Sequence, residues 1–426
     1  MTNIKNILHL LTNDYGGVSV PVKQIHSTML DTGLKSQLLV LNKTSDYPGL
    51  VQLHLSFLKK LIFRVRNKMQ FSLYKKTLHG NKYLFRIQAN LYSITVDDIL
   101  NSIHGNPDVL FIHWVDGFLN FKLINQLQER TKAGIVFFHH DMGLYTGGCH
   151  YSFGCEGYKN SCNNCPAIMD DTLKKQAETE LKQRLRFIPK DFISVVGSTY
   201  LEDQLKSSTL YRGSRIERIS SGINSTVFTI GDKIKVKQKY GIEPSKRVLF
   251  FGAESVNDNR KGFNYLLEAI HILQEEITED QKDQFLFVIV GKNNLPQELS
   301  AKIPFNILCL DFTSSESTLV EYYQLSDVFI CPTVDDGGPL MVFQSLMCGV
   351  PVIAFNVGIA ADIVNEENGY IAPLKNVQEL KRGIKHFIEL TDDDLKKKQL
   401  KSRQVAMENI LFETQNKKFL DLLERI

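Results

Sequence analysis

The sequence predicts an α/β protein of two doubly wound, Rossmann-like domains. Three observations carry this. Short apolar runs rich in β-branched and aromatic residues alternate with segments of helical period, the pattern of βαβ units and parallel sheets. A chain of 426 residues is too long for one typical core. A strand, a Gly-Gly loop and a helix occur once near each end, around Gly16-Gly17 and Gly337-Gly338.

Composition narrows the class. Hydrophobic and charged fractions of 43% and 23% are those of a water-soluble globular chain, which sets aside fibrous and disordered classes. The apolar run in MTNIKNILHLLTND meets Asn13 and Asp14 at once, so it reads as a first strand and not as a signal peptide. No run approaches the roughly 20 apolar residues of a membrane span. A cytoplasmic chain is expected, its seven cysteines reduced.

The first strand is expected over Ile4 to Leu11. Asn13-Asp14-Tyr15-Gly16-Gly17 forms a loop, and Val18 to Leu30 a helix. Leu38 to Leu41 is a second strand. No acidic residue stands between Asp46 and Asp97, while Lys59, Lys60, Arg64, Arg66, Lys68, Lys75, Lys76, Lys82 and Arg86 do. Leu55, Phe57, Leu58, Leu61, Ile62, Phe63, Phe71, Leu73, Leu84 and Phe85 are interleaved with them. One reading is a solvated basic face on helices that pack inward. The other is a basic amphipathic surface, in the 59–86 segment, that rests on anionic lipid at the inner face of the plasma membrane. Nothing in it resembles a nucleic-acid module.

Val109 to Trp114 and Ile135 to Phe138 are the next strands. They end in His113-Trp114-Val115-Asp116 and His139-His140-Asp141-Met142. Polar residues at the carboxyl ends of parallel strands stand where ligands bind, and two such clusters favour a site. Asp170 to Arg186 has helical period, and Phe192 to Gly197 is a strand. Residues 229–246 are lysine-rich and suit a helix-bearing connector. Val248 to Gly252 is a strand followed by a loop through Arg260-Lys261-Gly262. Two cations at a helix entrance suit a diphosphate, because Coulomb attraction and the helix dipole act together. Strands over Phe285 to Gly291 and Ile307 to Phe312 follow, then a helix from Thr318 to Leu325.

Val328 to Cys331 is a strand, and Val350 to Phe355 another. Between them lies a helix for which Pro339 suits the first helical position and Gly349 the stop. The Gly337-Gly338 loop lets backbone N–H groups face an anion beside a helix N-terminus. Met407 to Ile426 reads as a single terminal helix.

The string DVFICPTVDDGGPLMVFQSLMCGVPVIAFNVG (327–358) resembles the donor-site motif of retaining nucleotide-sugar glycosyltransferases of family 4, which have the GT-B fold. The two acidic positions of that motif fall on Asp336 and Gln344, the second without its charge. HDMGLYTGGCHYSFGCEGYKNSCNNCP (140–166) resembles the signature of the exopolysaccharide and colanic-acid subgroup, with Gly143 where tryptophan is usual. Arg218 to Phe228 resembles the interdomain segment. Lys261 matches the family's phosphate lysine, while Ala253 stands where its arginine is usual, leaving Arg260 to serve.

The resemblance implies two lobes facing a central cleft. Residues 1–222 would form an acceptor-side domain joined by a terminal helix over 408–426, and residues 223–407 a donor-binding domain. It implies a retaining glycosyltransferase moving a sugar from a nucleotide diphosphate sugar to a glycan or lipid-linked glycan acceptor in bacterial surface polysaccharide synthesis. The implied catalytic residues are His140, Asp336 and Lys261. The implied donor-binding residues are Gly16, Gly17, Arg260, Lys261, Asp336, Gly337, Gly338, Pro339 and Gln344. His113, Trp114 and Asp141 would lie on the acceptor side. GT-B transferases characteristically use no catalytic metal, so no cofactor is expected. Cys162-x-x-Cys165 has zinc-ligand spacing that Cys149, His150 and Cys155 would complete. A lone Cys-x-x-Cys is weak, and buried thiols in an ordered acceptor-side loop are the reading adopted. Two other functions fit the same residues: a nucleotide-sugar epimerase of GT-B fold, or a non-catalytic sugar-binding relative.

Overall fold

The computed structural model describes residues 6–78, 84–87, 94–292 and 300–426. It divides into two compact units, Met1–Ser220 with Gln415–Ile426, and Ser221–Thr414.

The first unit holds seven strands: β1 (Asn6–Asn13), β2 (Lys35–Asn42), β3 (Leu50–Gln52), β4 (Val109–Ile112), β5 (Gly134–His139), β6 (Ile193–Val196) and β7 (Arg215–Arg218). Their spatial order is β3-β2-β1-β4-β5-β6-β7. Every pairing is parallel. Both faces of such a sheet are covered, which is why its strands read as nearly continuous apolar runs. Leu8, Leu10, Leu110, Ile112, Ile135 and Phe137 fill one face. Ile7, Val109, Phe111, Val136, Phe138 and Val195 fill the other, against Ile25 and Met29 of the helix Ser19–Asp31 and Phe419, Leu422 and Leu423 near the chain end. Fully buried Phe111 and Phe137 each contribute roughly 2–3 kcal/mol by burial.

The second unit holds β8 (Arg247–Gly252), β9 (Phe285–Gly291), β10 (Ile307–Asp311), β11 (Val328–Cys331), β12 (Val352–Phe355) and β13 (Gly369–Ala372). The order is β10-β9-β8-β11-β12-β13, again all parallel. The lysine-rich connector has a structural reason. Lys233 and Lys237 of the helix Lys233–Lys239 reach Asp327 at 2.6 and 3.1 Å, and Asp327 also accepts from the Val248 amide at 2.8 Å. The buried carboxylate fixes the start of β11 beside β8.

Three expectations change. Pro339 is the N-cap, with ψ 112°, and the helix runs Leu340–Met347. An extended ψ at Pro339 leaves Leu340 as the first residue in helical geometry. The terminal segment is two helices, Asp392–Asn409 and Phe412–Leu423. Leu411 breaks them by forming a β-bridge with Ile223. Short β3, β7 and β13 and the helix Val377–Glu389 were not legible as separate elements. Of the basic segment, Lys82 and the side chains of Phe71, Leu73, Lys75 and Lys76 lie outside the described residues.

Candidate active site

Each sheet reverses its strand order once, between β1 and β4 and between β8 and β11. In open parallel sheets such switch points, at the carboxyl ends of the strands, are where ligands bind. The predicted residues gather at these two places.

In the first unit, His113 and Trp114 follow β4, and His140 and Asp141 follow β5. All four line one small cavity with Asp116, Phe138, Gly143 and His150. Two-residue alternation along β5 separates the paired histidines. His139 points to one face, where its Nε2 meets Ser194 Oγ at 3.2 Å. His140 points to the other, half-buried, 4.1 Å between ring centroids from Phe138. Burial lowers the His140 pKa to about 4, with Asp141 opposing the shift, so the ring is neutral. Trp114 Nε1 donates to Asp141 Oδ2 at 3.1 Å. Asp141 Oδ1 caps the following turn by accepting from the Gly143 amide at 2.7 Å.

His150 sits between two carboxylates. Its Nδ1 lies 2.9 Å from Asp141 Oδ2, and its Nε2 lies 3.7 Å from Asp116 Oδ2. Burial opposes the charged ring, but Asp141 and Asp116 outweigh it and raise the pKa to about 10. Trp114 Nε1 lies 3.0 Å from His150 Nδ1, so indole, imidazole and the Asp141 carboxylate form one cluster. Arg86 adds a second cation, with Nε 3.1 Å from Asp116. Arg184, buried, pairs with Glu180 at 2.8 Å and donates to the Gly143 carbonyl. Sequence reasoning took Asp170 to Arg186 only as a polar helix and His150 only as a possible zinc ligand, because the pairing of His150 with Asp116 and of Arg184 with the Gly143 carbonyl joins segments far apart in sequence.

The cysteines lie in the loop that follows. Cys162 Sγ accepts from the Gly147 amide at 3.2 Å, and Cys155 Sγ from the Gly157 amide at 3.4 Å. Burial raises the Cys162 thiol to about 11. Among the described residues, no group of three or more His, Cys, Asp or Glu is placed to hold a metal ion.

Gly16 and Gly17 follow β1 on an exposed turn. Gly16 has φ +88°, a left-handed conformation that suits glycine. The turn is anchored by buried Asp14, which accepts from the amides and hydroxyls of Thr44 and Ser45 at 2.7–2.9 Å.

In the second unit, the short turn Asn259–Lys261 follows β8 and the loop through Asp336 follows β11. They meet. Lys261 Nζ lies 2.8 Å from Asp336 Oδ2, and Arg260 Nη1 bonds the same oxygen. Arg260 Nη2 also reaches Asp258 at 3.0 Å. Burial pushes the Asp336 carboxyl up, but Lys261 and then Arg260 outweigh it and hold it well below the usual carboxylate range. The Gly338 amide is engaged, donating to Asp336 Oδ1 at 3.2 Å. Gly262 permits the approach: its φ is +72°, and an added Cβ would stand 1.8 Å from the Pro332 carbonyl oxygen. Gln344, on the helix that Pro339 caps, accepts from Tyr323 Oη at 3.1 Å, so its amide nitrogen is the group left for a ligand.

The helix Phe57–Thr77 carries a different surface. Phe57, Leu58, Leu61, Ile62, Val65 and Met69 are all exposed, Phe57 by 84% and Met69 by 68%. At roughly 100° per residue they cover an arc of about 140°. Arg64 and Arg66 border it, and buried Phe63 faces the core from the opposite side. Lys59 is tied to Asp98 at 2.7 Å.

Residues 245–389 match the family described as Glycosyl transferases group 1. The matched stretch contains Arg260, Lys261, Asp336 and Gln344, so the cation–carboxylate cluster lies inside it. WcaC of Escherichia coli K12, a glycosyl transferase named for colanic acid biosynthesis, is 23% identical over 65% of this chain. The match spans 66% of WcaC, a little under two thirds of its length. Sucrose-phosphate synthase of Thermosynechococcus elongatus superposes with a TM-score of 0.68 at 14% identity, covering 99% of this chain and 98% of that one. HepE of Anabaena, solved with UDP and glucose, gives 0.64 at 14% identity over 99% and 100% of the two chains. These likenesses, with two parallel Rossmann-like sheets, make the fold GT-B. No helix among the described residues is long and apolar enough to cross a membrane.

Proposed function

We propose that this chain is a retaining glycosyltransferase. It moves a sugar from a nucleotide diphosphate sugar to a glycan or lipid-linked glycan during bacterial surface polysaccharide synthesis. One observation carries the reading: Arg260, Lys261 and Asp336 meet at the switch point of a group 1 domain. The relative named for colanic acid biosynthesis and the UDP-bound likeness of HepE support the polysaccharide and donor assignments.

The chemistry follows from an exchange of partners. Asp336 and Asp258 together offset the two cations, Asp336 bonding both and Asp258 bonding Arg260. The donor's diphosphate takes over Lys261 and Arg260, and Asp336 turns its freed oxygens to sugar hydroxyls. Fixed cations then stabilise the departing diphosphate without reorganising at the moment of bond cleavage. Amides of the Gly337-Gly338 and Gly16-Gly17 loops bind phosphate or sugar oxygens, and Gln344 donates to the ribose. His140 stands beside the anomeric carbon as a neutral hydrogen-bonding ring. His113, Trp114 and Asp141 hold the acceptor side.

The exposed stripe of the helix Phe57–Thr77 supports an association of the enzyme with its acceptor's membrane. Six exposed apolar side chains, bordered by cations and in a segment without acidic residues, fit an anionic bilayer.

The test is a thermal-shift screen against UDP, GDP and their sugars, followed by product NMR with the sugar that binds. A rise in Tm with one nucleotide and a product of unchanged anomeric configuration are expected. An inverted product removes the retaining assignment. An epimer formed from donor alone replaces the reading with an isomerase.

A further inference from the structure

Three histidines from three neighbouring strands lie in line on one face of the first sheet. His9 is on β1, His113 follows β4 and His140 follows β5, and these strands are adjacent. His140 Nε2 is 3.2 Å from His113 Nδ1. His113 Nε2 is 3.0 Å from His9 Nδ1. His9 Nε2 is buried and meets no hydrogen-bond partner among the described residues. The next imidazole beyond His9, that of His26, has its centroid 5.7 Å away. Both its nitrogens are engaged, Nδ1 with Ser36 Oγ at 2.6 Å and Nε2 with the Pro48 carbonyl at 2.7 Å. The array therefore ends at His9.

Burial keeps all three rings neutral, so each carries one ring proton. Two adjacent nitrogens bond only if one donates and the other accepts, so the rings share one polarity. In the first arrangement His9 Nε2 carries the terminal proton, a buried N–H with no acceptor. In the second, His9 Nδ1–H donates to His113 Nε2, and His113 Nδ1–H donates to His140 Nε2. The unmet group at His9 is then only a lone pair. Orphaned buried N–H groups are the rarer of the two defects, which favours the second arrangement. It leaves His140 with its proton on Nδ1, the nitrogen not used by His113.

We infer that these rings form a tautomer lock, with His113 and His9 as positioning residues, so that His140 meets its ligand as an N–H donor at Nδ1. The array is not a proton wire, because a proton entering at His140 would find no acceptor beyond His9. The ligand is an oxygen acceptor of the transferred sugar, and that clause rests on the function proposed above. The lock itself does not.

The experiment uses the full chain labelled with 15N-histidine and a long-range 1H–15N correlation spectrum. His140→Asn and His113→Asn identify the two rings by the signals they remove. The expected spectrum has His140 protonated at Nδ1 and bare at Nε2, unchanged from pH 7 to 9, and His113 likewise. Protonation of His140 at Nε2, or averaging between both tautomers, overturns the inference. In His113→Phe, His140 is expected to average between tautomers, and kcat to fall about tenfold or more with nucleotide affinity unchanged. A His140 ring still fixed at Nδ1–H in that variant would show that His113 does not set it. The wild-type spectrum decides the polarity even if the variant fails to fold. A locked ring in a chain that binds no nucleotide would sink the glycosyltransferase reading and leave the lock standing.

Discussion

Lys261 Nζ and Asp336 Oδ2 lie 2.8 Å apart across 75 residues of sequence, and Arg260 shares the same oxygen. With Asp258 holding Arg260 as well, two carboxylates balance two cations, and removing any member unbalances the group. Asp336→Ala takes the carboxylate from Lys261 and leaves Arg260 with Asp258 alone. It is expected to cost about 3 kcal/mol, and a nucleotide diphosphate should recover more Tm in this variant than in wild type. Differential scanning with and without UDP or GDP checks this. An equal ligand shift in both proteins would contradict the exchange of partners.

The converse variant addresses binding. Arg260→Ala with Lys261→Ala removes both cations that face the diphosphate. Nucleotide affinity should fall at least about 100-fold, from two charge-assisted contacts of about 1.5–3 kcal/mol each. Calorimetric titration reads this directly, and undiminished affinity refutes the site.

His150 gives the first unit a pH dependence of definite sign. Its pKa is raised from 6.5 to about 10 by Asp141 and Asp116 against the cost of burial. A folded pKa above the unfolded one means stability that is fully present below 6.5 and is lost as pH rises through about 10. Urea midpoints should fall between pH 7 and 10 in wild type. His150→Gln should be less stable at pH 6 and nearly flat over that range.

Gly262 tests the backbone approach between the two loops of the second unit. Gly262→Ala combines a φ of +72° with a Cβ 1.8 Å from the Pro332 carbonyl oxygen. A loss of about 2–4 kcal/mol in urea unfolding is expected, together with weaker nucleotide binding, because Lys261 precedes the displaced residue. Wild-type stability in this variant would mean the two loops do not approach as described.

The outward stripe of the helix Phe57–Thr77 predicts adsorption to vesicles. Leu61→Ser, Val65→Ser and Met69→Ser together should abolish cosedimentation with anionic vesicles while leaving Tm within about 1 °C, since all three are exposed. Wild type should bind phosphatidylglycerol vesicles, lose binding as salt rises, and ignore phosphatidylcholine. Binding that survives the triple substitution moves the contact elsewhere. Self-association through the stripe without lipid binding makes it a subunit interface.

Much of the site was legible because strand ends in parallel sheets are local features. A run such as Val328–Cys331 followed by Gly-Gly announces where backbone amides gather, whatever lies around it. Alternation along a strand is also local, so Phe111 and His113 share a face, as do Phe138 and His140; that His9 joins them follows only from the strand register. Pairing across long separations was not legible. Nothing near His150 in sequence announces that Asp116 and Asp141 enclose it. Nothing near Asp336 announces that two cations some 75 residues away already share one of its oxygens.

The sequence by itself determined the alternation of strands and helices, the two glycine-bearing loops, and the identity of the cations and imidazoles at the strand ends. These follow from period, propensity and turn chemistry, which act over a few residues. Tertiary structure alone decided which charges neutralise one another, where the terminal helix breaks, and that two buried histidines and the half-buried His140 touch in series. Each depends on burial and distance between remote segments, and electrostatic and hydrogen-bond energies take their size from that surrounding medium.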